Sequence, residues 1–310
     1  MILSRVAPPR RILFNIAMTA ITMFTGKGGV GKTTCSAAIA LRHAAAGKRT
    51  LVISTDASPS LRHIFEITGR EKSAGTIPNL EIREIGEKEI RDMWDRKFGR
   101  EVYEVFSAFV DISYPDFVEF MTSVLPGLGE EFMVDHIRGI SGTNDYEAVI
   151  WDTAPLGQTL ALLKTPELLS KHLKMAPRIY SKLKIGRASR QPVLDILKSW
   201  EELSALNMEF LKTRVDFIMV TIPEALAVQQ LEGVFRELES YGLAVKRIIV
   251  NNVVKIEDSV FLRTKARQQR PYLNQIRKTF PALKITEVPM FPQEIKGGER
   301  LREIGKHLIF

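Results

Sequence analysis

Cysteine is almost absent from this chain: its 310 residues include only Cys35. A disulfide framework within one chain is thereby excluded, as is an intrachain metal site built on several thiolates. Long apolar runs are missing too. No stretch approaches the ~18–20 apolar residues that a membrane-crossing helix needs. Internal repeats and low-complexity segments are also lacking. The first seventeen residues, MILSRVAPPRRILFNIA, are basic and apolar. Pro8 and Pro9 interrupt them, and no apolar run of signal-peptide length follows the arginines. They read as a flexible extension ahead of a folded body over residues 18–310. The composition, 45% hydrophobic and 26% charged, is that of an ordinary globular chain. A reducing compartment fits, and the expected location is cytoplasmic.

The net charge is +8. Much of the excess gathers at 171–190, from Lys171 to Arg190, and at 263–278, from Arg263 to Lys278. Such runs are first read as solvated helix faces, although a basic patch also suits anionic lipid, nucleic acid or an acidic partner.

Apolar runs alternate with helical patterns, which predicts an α/β fold. Short β-rich runs stand at Ile21–Phe24, Thr50–Thr55, Leu80–Ile85, Ala148–Trp151, Phe217–Ile222, Arg247–Val250 and Ile285–Val288. Helical segments separate most of them, so a mostly parallel, doubly wound sheet follows. Residues 88–138 and 162–212 break the rhythm. Each is a long stretch without a strand, and both carry apolar residues at helical spacing, such as Ile90, Trp94, Phe98 and Val102, or Leu203, Leu206 and Phe210. They are expected to form one helical subdomain inserted into the sheet domain.

The strongest chemical signal is Gly26-Lys27-Gly28-Gly29-Val30-Gly31-Lys32-Thr33, followed by Thr34. It fits the phosphate-loop pattern G-x-x-x-x-G-K-[ST] between a strand and a helix. Glycines let backbone N–H groups face phosphate oxygens, and the helix beginning near Lys32 adds its positive end. Lys32 is expected on the β- and γ-phosphates, and Thr33 on Mg²⁺. Two aspartates close apolar strands on the same side: Asp56 ends LVISTD and Asp152 ends VIWD. Asp56 is expected to orient or deprotonate the attacking water, and Asp152 to hold Mg²⁺ through a water. The expected cofactors are therefore ATP and Mg²⁺.

Lys27, a second lysine inside the loop, makes the motif resemble the deviant Walker A loop of the ArsA, MinD and nitrogenase iron-protein class. The whole chain is similar to the ArsA family, specifically to its members that target tail-anchored membrane proteins. STDASPSL at 54–61 resembles the family's first switch and DTAPLGQTL at 152–160 its second. PGLGEE at 126–131 resembles a segment of the helical region, IIVNN at 248–252 the adenine-reading strand, and PMFPQEIKG at 289–297 the adenine loop. The resemblance implies that Asp56 activates water and that Lys27 acts in trans on the nucleotide of a second subunit. It also implies that Asn251, Pro289 and Phe291 meet the base. An ATP-dependent homodimer is implied, with an apolar groove for a client's transmembrane helix and a membrane receptor as a further partner.

The departures are as informative. Zinc-linked members carry CxxC at the segment corresponding to 259–262, where this chain has Ser259 and Leu262, so no zinc site is expected. Metalloid-stimulated members use several cysteines, which Cys35 alone does not supply. Gln158 replaces a histidine of the second switch, and Gln230 stands where the family has a glutamate. For the client groove the chain offers Met93, Trp94, Phe106, Phe109, Phe117, Phe120, Met121, Val124, Leu125, Phe132, Met133, Trp200, Met208 and Phe210. The same stripe equally suits a subdomain core. The competing reading is a MinD- or ParA-like positioning ATPase on membrane or DNA. Its support is the basic excess. Against it, no C-terminal amphipathic membrane helix follows the adenine-loop segment, and nucleic acid is not an expected partner.

Overall fold

The computed structural model describes residues 19–55, 60–67, 77–107, 111–124, 128–153 and 187–309. Seven strands form one sheet: β1 (Ala20–Gly26), β2 (Thr50–Ser54), β3 (Leu80–Glu84), β4 (Ala148–Asp152), β5 (Val215–Thr221), β6 (Val245–Val253) and β7 (Lys284–Pro289). Their order is β3-β2-β4-β1-β5-β6-β7. Every pairing is parallel, so the seven predicted strands are present and the sheet is wholly parallel. A parallel sheet places all strand C-termini on one edge, where open α/β sheets bind ligands.

Both faces of the sheet are buried, and the strands are apolar on both sides for that reason. On one face Phe24, Val52, Ile150, Val220 and Ile249 pack beneath α1 (Lys32–Ala45) and α10 (Gly297–Gly305). The short α2 (Ser60–Ile64) contributes Leu61 and Ile64 to the same layer. On the other face Met23, Ile53, Trp151, Phe217 and Val250 pack beneath α8 (Ala225–Ser240) and α9 (Val260–Thr279).

The remaining helices are α3 (Glu87–Trp94), α4 (Arg100–Phe106), α5 (Tyr114–Val124), α6 (Leu128–Gly142) and α7 (Arg187–Arg214). A π-helical turn at Asp95–Gly99 joins α3 to α4. Trp94, Phe98, Phe117, Val118, Phe132 and Leu203 make an apolar cluster of their own away from the sheet. Its rings meet edge-on or tilted, as Trp94 and Phe117 do at 5.9 Å and Phe98 and Trp200 at 5.6 Å. Helices α6 and α7 belong to both layers. Phe132 of α6 and Leu203 of α7 enter the helical cluster, while Met133, Ile137, Phe210 and Leu211 pack on the sheet.

This burial answers the ambiguity of the apolar stripe. Trp94, Phe117, Phe132, Met133 and Phe210 are all buried, so these groove candidates are core in this conformation. Met93, Met121, Trp200 and Met208 are partly buried against the same clusters. Among the described side chains of the stripe, Phe120 is open, at 43% exposed, and Leu206 joins it at 55%. The remaining groove candidates, Phe106, Phe109, Val124 and Leu125, lie outside the described side chains, as does the segment 154–186.

Candidate functional site

Strand β1 delivers its last residue, Gly26, against β5, and a side chain there would collide. A Cβ on Gly26 would lie 2.2 Å from the Val220 carbonyl oxygen. The loop then turns through Gly29 at φ 77° and Gly31 at φ 92°, a left-handed region that glycine enters without penalty. Val30 between them is buried and anchors the loop to the core. Lys27, Gly28 and Gly29 are exposed. Lys32 turns back over the loop and donates from Nζ to the Lys27 carbonyl at 3.1 Å, which sets its ammonium among the loop's peptide groups.

Helix α1 starts at Lys32 with no acidic residue in its first turn and no side-chain cap on Gly31. The positive dipole end of the helix therefore faces the glycine loop with no acidic side chain in its own first turn. The Thr33 hydroxyl donates to Asp152 Oδ2 at 2.8 Å. Asp152 is fully buried at the end of β4, and Ser54 Oγ lies 3.4 Å from the same carboxylate oxygen. Thr34 is half-buried on the same turn. Thr33 and Asp152, 119 residues apart in sequence, thus form one oxygen-rich corner.

Asp56 lies outside the described residues, but both flanks of its segment are tethered. Thr55 N–H donates to the Asp152 carbonyl at 3.0 Å, and the Trp151 indole donates to Thr55 Oγ1 at 3.2 Å. Beyond the gap, Glu84 Oε1 accepts from the Leu61 and Arg62 amides at 2.8 and 3.1 Å. Glu84, at the end of β3, is a positioning group that sequence reading missed; its one signal is a carboxylate at a strand end.

Asn251 is buried on β6 and its Nδ2 donates to the Val30 carbonyl at 3.0 Å. Gln269 of α9, buried, fixes the turn after β6. It accepts from the Val254 amide at 2.8 Å and donates to the Asn252 carbonyl at 2.9 Å. No pattern in the sequence singles Gln269 out. Pro289 closes β7, and Phe291 packs partly buried against the α1 layer with its ring 6.1 Å from His307. Strand order therefore brings Asp152 against Thr33 on one side of the glycine loop and Asn251 against Val30 within it. Pro289 and Phe291 stand at the end of β7 and just beyond it, three strands from β1, and make no hydrogen bond to the loop among the described residues.

A concavity of about 700 Å³ opens between α8 and α9, lined by residues that include Pro223, Phe261, Lys265 and Tyr272. No phosphate-loop residue lines it, so it is a separate feature of the surface. Cys35, just behind the loop, is fully buried; burial, with the Asp152 charge second, pushes its thiol up to about 12.

A glycine loop under a helix N-terminus, with a lysine folded over it and a hydroxyl–carboxylate pair beside it, has the chemistry that a nucleoside triphosphate site requires. The family model described as Anion-transporting ATPase matches residues 19–309. This chain belongs to the anion-transporting ATPase (ArsA) family.

Three relatives illustrate the breadth of that family. A protein of Aquifex aeolicus, placed by name among arsenical pump-driving ATPases, is 28% identical over 93% of this chain and 98% of its own length. ATPase GET3 of Chaetomium globosum is 28% identical over 92% of this chain and 88% of its own. ATPase GET3B of Arabidopsis thaliana is 30% identical, covering 91% and 77% respectively. The members share the ATPase title while differing in what surrounds it. Like them, this anion-transporting ATPase relative is an ATP hydrolase.

Proposed function

We propose that this ATPase closes two copies of itself on ATP, holds the transmembrane helix of a tail-anchored membrane protein while closed, and releases it after hydrolysis. The observation that carries this reading is the path of α7. Its Leu203 sits in the helical cluster, its Phe210 and Leu211 sit on the sheet, and the chain continues from Arg214 directly into β5. Strand β5 pairs with β1 from Val215 beside Ile21 up to Val220 beside Gly26. A change at the phosphate loop therefore has a continuous, packed route to the helical layer.

The roles follow from position. Gly26, Gly28, Gly29 and Gly31 supply backbone donors to the phosphates, with Val30 as the buried anchor of the loop. Lys32 neutralises the β- and γ-phosphates, and Thr34 extends the donor set into the first turn of α1. Thr33 and Asp152 fit Mg²⁺, because hydroxyl and carboxylate oxygens are its ordinary partners. When bound, the ion would neutralise charge developing on the transferred phosphoryl group. Asp56 accepts the proton of the attacking water; Thr55, the residue before it, is held to Asp152 at the end of β4. Lys27, exposed on the loop, is free to meet the nucleotide of a second copy. Asn251, Pro289 and Phe291 receive the adenine.

The surface of α9 supports a self-contact. Ile256 ahead of the helix, and Val260 and Phe261 in its first turn, are each about two-thirds exposed or more, beside and within the segment 259–262 to which the resemblance assigns the cysteines of zinc-linked members. Apolar contact would take the place of the metal there. A metalloid-pump role is disfavoured by chemistry, since the sole thiol is buried and held protonated. Because the groove candidates around Trp94 and Phe117 are core, the client surface forms only when α5, α6 and α7 rearrange, with Phe120 and Leu206 already at the surface.

The test is capture of a synthetic transmembrane-helix peptide by the purified protein with ATP·Mg²⁺, with ADP·Mg²⁺ and without nucleotide. Capture that requires ATP and is lost after hydrolysis supports the reading. Equal capture in all three states, or none, rejects the client while leaving the ATPase in place.

A further inference from the structure

Asn251 does more in this fold than stand near a base. Val30 lies between two left-handed glycines, Gly29 at φ 77° and Gly31 at φ 92°. Its carbonyl accepts the Asn251 amide at 3.0 Å across 221 residues of chain. Both residues are buried, Val30 at 2% exposed and Asn251 at 7%. The described peptides are all trans, so the Val30 C=O and the Gly31 N–H point in opposite directions from one peptide plane. Holding the carbonyl against Asn251 on β6 therefore aims the Gly31 N–H away from that contact.

The loop does not secure this orientation by itself. Rotating the Val30–Gly31 peptide changes ψ of Val30 and φ of Gly31, and glycine accepts either sign of φ at little cost. A Cβ on Gly31 would also lie 2.2 Å from Asn251 Nδ2, which shows how closely the carboxamide is fitted to the loop. Nδ2 carries a second hydrogen, and Oδ1 is an acceptor. One side chain thus has the capacity to grip the loop and to meet a ligand group together.

We propose that Asn251 is a positioning residue for the phosphate loop: it sets the Gly31 amide for phosphate and links base reading on β6 to triphosphate binding. This rests on the reading of residues 26–33 as the phosphate loop. It predicts that Asn251 matters to a ligand that has no base at all.

The test measures binding of ATP and of inorganic tripolyphosphate to wild type, Asn251→Asp and Asn251→Ala by titration calorimetry, with thermal melts to confirm folding. Asn251→Asp keeps the shape and replaces the donor by an acceptor facing a carbonyl. Both variants are expected to lose about tenfold in affinity for tripolyphosphate, and at least as much for ATP. Unchanged tripolyphosphate affinity with weakened ATP would reduce Asn251 to a base contact and overturn the proposal. Wild type that binds neither ligand would instead remove the phosphate-loop reading itself. Should both variants fail to fold, nitrogen-15 spectra of the wild type decide. Tripolyphosphate must then shift the Asn251 carboxamide resonance together with the Gly31 amide; a shift of Gly31 alone overturns the proposal.

Discussion

At the scale of single residues, the site combines groups whose chemistry is set by what touches them. Asp152 is fully buried and receives the Thr33 hydroxyl at 2.8 Å. Changing Asp152→Asn keeps the volume and removes the charge that orients this pair. Outer partners of a metal ligand typically matter by 10–100-fold. Mg²⁺-stimulated ATP turnover is therefore expected to fall by roughly 10–100-fold, with the melting temperature little changed; steady-state phosphate release across a magnesium series checks this. Cys35 behaves oppositely. With its thiol pushed up to about 12 by burial and by Asp152, almost no thiolate exists at pH 8, and only thiolate alkylates readily. Iodoacetamide should leave the native protein unmodified and label one site in denaturant, as mass spectrometry would show. Rapid labelling of the folded protein would contradict the burial.

At the scale of elements, α6 and α7 are held together by a polar clamp inside an apolar layer. Glu131 is buried, and its carboxylate accepts from Asn207 Nδ2 at 2.6 Å and from Ser204 at 3.4 Å. Arg138 completes the chain by donating to Asn207 Oδ1 at 3.0 Å. Burial raises the Glu131 carboxyl above its ordinary 4.5, against the lowering effect of Asn207 and Ser204. A raised folded-state value means that the protonated form is favoured by folding. Its contribution is fully present below about 4.5 and is lost as pH rises through the folded value. Glu131→Gln removes that loss, so its melting temperature relative to wild type should climb between pH 4 and pH 7. A difference that stays flat across that range would contradict the burial cost. Phe117, fully buried in the helical cluster, is the matching apolar probe. Phe117→Ala should cost about 3–5 kcal/mol in denaturant unfolding while leaving ATP affinity within twofold, since the cluster does not touch the loop.

The elements also show what sequence patterns can and cannot carry. All seven strands were legible because a sheet covered on both faces demands short, β-rich apolar runs, and glycines or aspartates punctuate their ends. The glycine-rich turn between β1 and α1 was legible because its glycines answer a steric need that is local in sequence. Strand order was not, since β4 inserts between β2 and β1 through contacts far apart in the chain. For the same reason Glu84, Gln269 and the Asn251–Val30 bond escaped notice: each acts on a backbone group distant in sequence, and no spacing rule encodes it. Helical periodicity located the apolar stripe but did not say which neighbour covers it. Burial of Trp94, Phe117 and Phe132 is a property of three helices meeting, which no single helix displays.

At the scale of the molecule, a parallel sheet gathers the ligand chemistry on one edge and a helical layer rides on one face. The two are joined by α6 and α7, which pack in both, and α7 runs straight into the strand beside β1. ATP binding is worth nothing to a distant surface unless the two states differ in their contacts with the nucleotide. Lys27 supplies such a difference if its exposed side chain meets the triphosphate of a second copy. Under the proposed function, the ATP-bound dimer is then the working state. The measurement that tests this most directly is light scattering of the purified protein with and without ATP·Mg²⁺, for wild type and Lys27→Ala. The account predicts that ATP doubles the mass of wild type and leaves Lys27→Ala monomeric while it still binds ATP. A wild-type mass unchanged by ATP, or a Lys27→Ala variant that dimerises as wild type does, would contradict it.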